Sequence, residues 1–123
     1  GSGDGPLLPC YLPPGWLGET RLRVTAYREL AECQSEKDLN QLTERWVDRF
    51  GRLPKEAENL VDVSRLRLLA GAKNVQSIEI KGQRLMLQRN GDYIMLEGRR
   101  FPRLTRTTPQ EKLGEALNLV ITL

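Results

Sequence analysis

A chain of 123 residues with 39% hydrophobic and 28% charged side chains has the length for one ordinary core and the composition of a soluble globular domain. No apolar run approaches the roughly 20 residues of a membrane span and no opening stretch resembles a signal peptide, so a cytoplasmic location without a membrane partner is expected. The net charge of +3 is unevenly placed: residues 1–80 hold 11 Lys and Arg against 12 Asp and Glu, whereas residues 81–123 hold 8 against 4.

The chemistry available is narrow. There is no histidine, and Cys10 and Cys33 form no Cys-x-x-Cys pair, which leaves no plausible zinc site and no Ser-His-Asp or Cys-His group. Each cysteine is expected as a buried or partly buried thiol. There is also no phosphate-binding Gly-x-x-x-x-Gly-Lys-Ser/Thr loop, no dinucleotide fingerprint and no nucleophile elbow. No cofactor and no catalysis are expected of this stretch.

In chain order, Gly1-Ser2-Gly3 has the look of an expression scar. The stretch that follows to residue 16 carries four prolines among Leu7, Leu8, Tyr11, Leu12 and Trp16. Proline fixes φ and gives up a donor, so residues 1–16 are expected as scar plus extended arm, and 17–123 as the domain. A first helix is expected over about 18–33, with Leu22, Ala26, Tyr27, Leu30 and Cys33 inward. Ser35 is an N-cap for the second helix, with Asp38 as a shortened capping-box partner.

The second helix organises the chain. Leu39, Leu42, Thr43, Trp46 and Phe50 recur at helical spacing and define a buried stripe. Gln41, Glu44, Arg45, Asp48 and Arg52 fall on the other side as a charged ridge. Glu44 and Asp48 are a carboxylate pair four residues apart. Arg45 and Arg52 stand close enough in sequence to make solvated ion pairs their ordinary role. Gly51 ends the helix, with Arg49 at its negative end.

Pro54 is expected in the first turn of a third helix. Its stripe of Ala57, Leu60, Val61, Ser64, Leu68 and Ala72 is broadened by Val63, Leu66, Leu69 and Ala70, so it should be buried on more than one side. Arg65, Arg67 and Lys73 take the wet remainder. Beyond Asn74 the period falls to two, with Ile78 and Ile80, Leu85 and Leu87, then Tyr93 and Met95 alternating with other residues. Lys81-Gly82-Gln83 and Asn90-Gly91-Asp92 supply turns. Thr108 caps a last helix with Pro109 first and Glu111 third, and Leu113, Ala116, Leu117, Val120 and Ile121 form its stripe, so the tail should be docked. The fold class is α+β: three packed helices, a small antiparallel sheet of about three strands, and a closing C-terminal helix.

Three ordered blocks carry a family resemblance. Leu-Arg-Val-Thr-Ala-Tyr-Arg-Glu-Leu-Ala at 22–31, Trp-Val-Asp-Arg-Phe-Gly-Arg-Leu-Pro at 46–54 and Glu-Asn-Leu-Val-Asp-Val-Ser-Arg-Leu-Arg-Leu-Leu-Ala at 58–70 resemble the C-terminal domain of bacterial transcription-repair coupling factors. These are ATP-driven DNA translocases that remove stalled RNA polymerase and recruit nucleotide excision repair. The resemblance covers about residues 11–73 and implies a non-catalytic regulatory domain. It implies a latch on the parent's own UvrB-like N-terminal module that masks UvrA binding, with RNA polymerase and DNA reached through the parent. Asp48 matches the family's acidic contact residue, whereas Arg45 stands where the family often has an acid. The contact is expected on Gln41, Glu44, Arg45, Asp48 and Arg52. A second reading is a basic adaptor that meets DNA or RNA through Arg84, Arg89, Arg99, Arg100, Arg103 and Arg106, with Lys81 beside them and Tyr93 and Phe101 stacking on bases.

Overall fold

The computed structural model describes residues 8–95 and 100–123, so the opening seven residues and Arg99 lie outside the description. Its elements are α1 (Thr20–Glu32), α2 (Glu36–Phe50), α3 (Lys55–Ala72), β1 (Ser77–Lys81), β2 (Arg84–Arg89), β3 (Asp92–Tyr93) and α4 (Pro109–Thr122). Contacts divide the chain into a helical unit, Leu8–Leu68, and a second unit that includes Leu69–Leu123.

In the helical unit, α1, α2 and the first part of α3 close on Leu12, Leu17, Ala26, Leu30, Leu39, Leu42, Trp46, Ala57 and Val61. Leu39, Leu42 and Trp46 are at most 2% exposed, so the stripe read along α2 is the buried one. Each such side chain contributes about 1.5–3 kcal/mol by leaving water. Phe50 is only half-buried. It lies at the helix end, where Trp16 meets its ring edge-on at 5.8 Å between centroids and the Arg49 guanidinium covers it at 4.9 Å.

The helix ends are set by side chains. Ser35 Oγ accepts from the Asp38 N–H at 3.1 Å, while the Asp38 carboxylate accepts from the Gln34 N–H at 3.1 Å, one residue earlier than a capping box would take it. At the other end Gly51 adopts φ 88° and ψ −172°, a region essentially confined to glycine, and α2 stops. The indole N–H of Trp16 donates to the Phe50 carbonyl at 3.1 Å and so satisfies an acceptor that the helix leaves open.

Three expectations for this unit are corrected. Tyr27 is not core but 41% exposed, because its hydroxyl is drawn to the rim to accept from the Leu12 N–H at 2.9 Å. Pro54 precedes α3 instead of opening it, its carbonyl accepting from the Glu58 N–H at 2.9 Å. Arg65 is not on the wet face: its guanidinium reaches Glu36 at 3.2 Å, Asp62 at 3.1 Å and the Asn40 side chain at 2.8 Å, tying the start of α2 to α3. Within this unit α3 is buried on opposite sides, by Ala57 and Val61 on one and Asn59 and Leu66 on the other. The arm meets part of what Asn59 needs: its amide N–H donates to the Pro9 carbonyl at 3.0 Å, while its buried Oδ1 has no partner among the described residues.

In the second unit α3 closes with Asn74 at φ 63°, where the Val75 N–H returns to the Ala70 carbonyl at 2.8 Å and the Asn74 N–H to Gly71 at 3.0 Å. This pair of bonds is a Schellman closure with asparagine in the left-handed seat. The three strands follow in the order β1-β2-β3, both pairs antiparallel. Lys81 faces Arg84 across the Gly82-Gln83 turn, in which only Gly82 has positive φ, and Arg89 faces Asp92 across Asn90-Gly91, in which both residues do. Those signs fit a type II′ and a type I′ hairpin.

β3 is shorter than its alternating pattern suggested, and Met95 is exposed. The same edge of β2 is taken further along by residues 102–104. The Leu85 N–H donates to the Pro102 carbonyl and the Leu104 N–H to Gln83, flanking an antiparallel bridge between Arg84 and Arg103. α4 begins with the cap expected of it: Thr108 accepts from the Glu111 N–H at 3.2 Å, with Pro109 in the first turn. Leu113, Ala116 and Val120 are buried, but Ile121 is 54% exposed, so the last turn is less covered than its stripe suggested. Lys112 and Lys73 hold this helix by donating to the Gly82 and Ile121 carbonyls at 2.8 and 2.9 Å.

Candidate functional site

The burial of Leu39, Leu42 and Trp46 fixes the rotation of α2, and rotation decides what the helix offers to solvent. Gln41, Glu44, Arg45 and Asp48 are all exposed on its outer side, and Arg52 is exposed just beyond its end. The ion pairs anticipated for Asp48 are not formed. Among the described residues the salt bridges are Arg65 with Glu36 and Asp62, and Lys81 with Glu79. The turn at Gly51 takes Arg52 out of helical register, which removes the i, i+4 geometry that Asp48 would need.

Two apolar residues that the ridge reading passed over complete the surface. Val47 lies between the two acids and is 43% exposed, and Leu53 follows the Gly51 turn half-buried. With Thr43, Glu44 and Asp48 they line an open depression of about 450 Å³. The signal in the sequence was an aliphatic residue at a position where helical spacing demands a polar one. A floor of Val47 and Leu53 with two carboxylates at its edge that have no salt bridge among the described residues suits a partner presenting an apolar knob beside cations.

The basic residues of the second unit are divided. Arg84 and Arg103 are brought opposite each other. Arg89 lies on the other face of β2, where its Nε donates to the Lys73 carbonyl at 3.0 Å. Arg100 and Arg106 are exposed. Tyr93 and Phe101 do come together, edge to face at 5.4 Å between centroids. The segment 102–106 is not a loose basic loop. The Glu115 carboxylate accepts from the Thr105 and Arg106 N–H groups and the Thr105 hydroxyl, and Gln83 donates to the Leu104 and Arg106 carbonyls. These bonds hold Glu115 below the usual carboxylate range, the Thr105 hydroxyl contributing most.

Both cysteines are free and half-buried, and burial pushes both thiols up, away from the range of a reactive thiolate. No helix among the described residues is long and apolar enough to cross a membrane.

The geometry defines an α+β chain whose second helix presents an exposed charged ridge beside an apolar-floored depression. The chain belongs to the TRCF domain family, whose family model matches residues 7–93. It is 36% identical over 72 residues to a transcription-repair-coupling factor of Haemophilus influenzae and 31% identical over 72 residues to one of Escherichia coli K12, 58% of this chain and 6% of each relative. A Rickettsia prowazekii relative of the same name aligns over 86% of this chain at 24% identity, and the alignment covers 10% of that relative. The chain thus spans a small part of the curated relatives it matches. A crystal structure of the C-terminal domain of a transcription-repair coupling factor shares the fold, with a TM-score of 0.67 over 94% of this chain and 90% of that one at 16% identity.

Proposed function

We propose that residues 17–123 act as the regulatory C-terminal domain of a transcription-repair coupling factor. The domain latches onto the parent's own UvrB-like N-terminal module and masks the surface that recruits UvrA. Transcription-repair coupling itself follows from the family. The latch rests on one observation: Glu44 and Asp48 stand exposed, with no salt-bridge partner among the described residues, at the edge of the depression floored by Val47 and Leu53. A patch of this kind gives orientation through its charges and moderate affinity through a small apolar contact, which is what a releasable intramolecular contact requires. RNA polymerase and DNA enter through the parent, and so does ATP. The domain alone is expected to hydrolyse none, a control to be run beside any binding assay.

The test is binding in trans between this chain and the separately produced UvrB-like module, followed by calorimetry. Asp48→Arg sets like charge against the cations expected across the contact, and a loss of tenfold or more in affinity is predicted. Asp48 is exposed, so thermal unfolding should be unchanged in the same preparation. Equal affinity for both proteins would remove Asp48 from the contact.

A further inference from the structure

The outward face of the sheet carries a charge arrangement that the latch does not use. Residues directly opposite one another in an antiparallel pair project to the same face. Lys81 is opposite Arg84, and Arg84 is in turn opposite Arg103, so three cations form one row across β1, β2 and the 102–104 segment. At about 4.8 Å per strand the row spans about 10 Å. All three side chains belong to exposed residues. Glu79, two residues back on the same face, reaches Lys81 at 3.8 Å with both side chains more than half exposed. Among the described residues neither Arg84 nor Arg103 has a salt-bridge partner.

Like charges set directly opposite weaken a sheet, and the chain keeps them. The aromatic pair adjoins this row. Phe101, two residues before Arg103, lies with its ring 5.3 Å from the Arg84 guanidinium and meets Tyr93 edge-on. Tyr93 is 44% exposed and, opposite Gln88, projects to the same face. A row of cations, only one of which has an acidic neighbour, beside an open aromatic ring matches a ligand with regularly spaced phosphates and unpaired bases.

We propose that this face, through Lys81, Arg84, Arg103 and Tyr93, binds single-stranded nucleic acid, with the cations on the phosphates and a base on the tyrosine. The reading stands on the second unit alone and is independent of the α2 ridge. Duplex DNA offers the phosphates without the exposed base face, and an acidic protein surface offers neither the spacing nor the stacking partner.

The experiment is fluorescence anisotropy of this chain with labelled oligo-dT and oligo-U of about 20 nucleotides, a matching duplex and a glutamate-rich peptide, from low to physiological salt. Three phosphate contacts predict that log K falls with log salt with a slope of about −2 for a single strand. Arg103→Glu should abolish binding while raising Tm by about 2 °C, because it replaces a like-charge opposition with an opposite-charge pair. A residue whose role was only structural would not move those two readouts in opposite directions. Tyr93→Ala should weaken the single strands about tenfold and leave the duplex unaffected. The proposal is overturned if neither single strand binds at low salt, if Arg103→Glu binds as well as the parent sequence, or if the duplex or the acidic peptide binds more tightly than the single strands.

Discussion

At the scale of single residues the chain depends on a few side chains that neighbours constrain. Gly51 sits at φ 88°, and a Cβ built there meets nothing within 4 Å. The cost of Gly51→Ala is therefore backbone strain alone, expected at about 1–3 kcal/mol in urea unfolding. Arg65 joins Glu36, Asn40 and Asp62 with a side chain 23% exposed, and Arg65→Met is expected to cost about 1–2 kcal/mol by the same measurement, since it severs a network instead of one surface pair. Glu115 supplies a pH dependence. Its carboxyl is depressed in the folded state, so the unfolded chain binds the proton first and stability falls as pH drops below about 4.5 through the folded value. Glu115→Gln should flatten that part of an acid denaturation curve. An equally steep fall in the variant would show that the Thr105 clamp does not titrate with folding.

At the scale of elements, legibility followed the range of the interaction. Ser35 and Thr108 as caps, Gly51 as a stop and Asn90-Gly91 as a hairpin were readable because each acts within a few residues of itself. The stripe of α2 was readable because burial on one side imposes a period. Arg65 was misread because its partners Glu36 and Asn40 lie on another helix, and no period marks them. The pairing of residues 102–104 with β2 was hidden by Pro102, which argues against a strand. Here it contributes its carbonyl and not a donor, so the ladder at an edge tolerates it. Of the α2 ridge, the charges were legible and the apolar floor was not, since Val47 reads as a lone surface valine until Leu53 is folded beside it. The left-handed Asn74 gives an element-scale prediction. Asn74→Gly should leave α3 as stable as before, whereas Asn74→Ala should cost about 1 kcal/mol through the Schellman closure, measured by thermal unfolding.

At the scale of the whole molecule, a latch is a difference in free energy between closed and open states of the parent, and a contact only biases that difference by what it contributes to the closed one. Trp46 buried and Asp48 exposed on opposite faces of one turn of α2 are what would give the domain a fixed outer ridge for that contact. If the ridge contributes even 1.4 kcal/mol to closure, its loss changes the closed-to-open ratio about tenfold. The most direct measurement is UvrA binding by the intact parent carrying Asp48→Arg, compared with the unaltered parent at equal concentration. The account predicts tighter UvrA binding by the variant, approaching that of a parent from which residues 17–123 are deleted. Unchanged UvrA binding in the variant, with the deletion still showing the increase, would contradict the assignment of the latch to this face of α2.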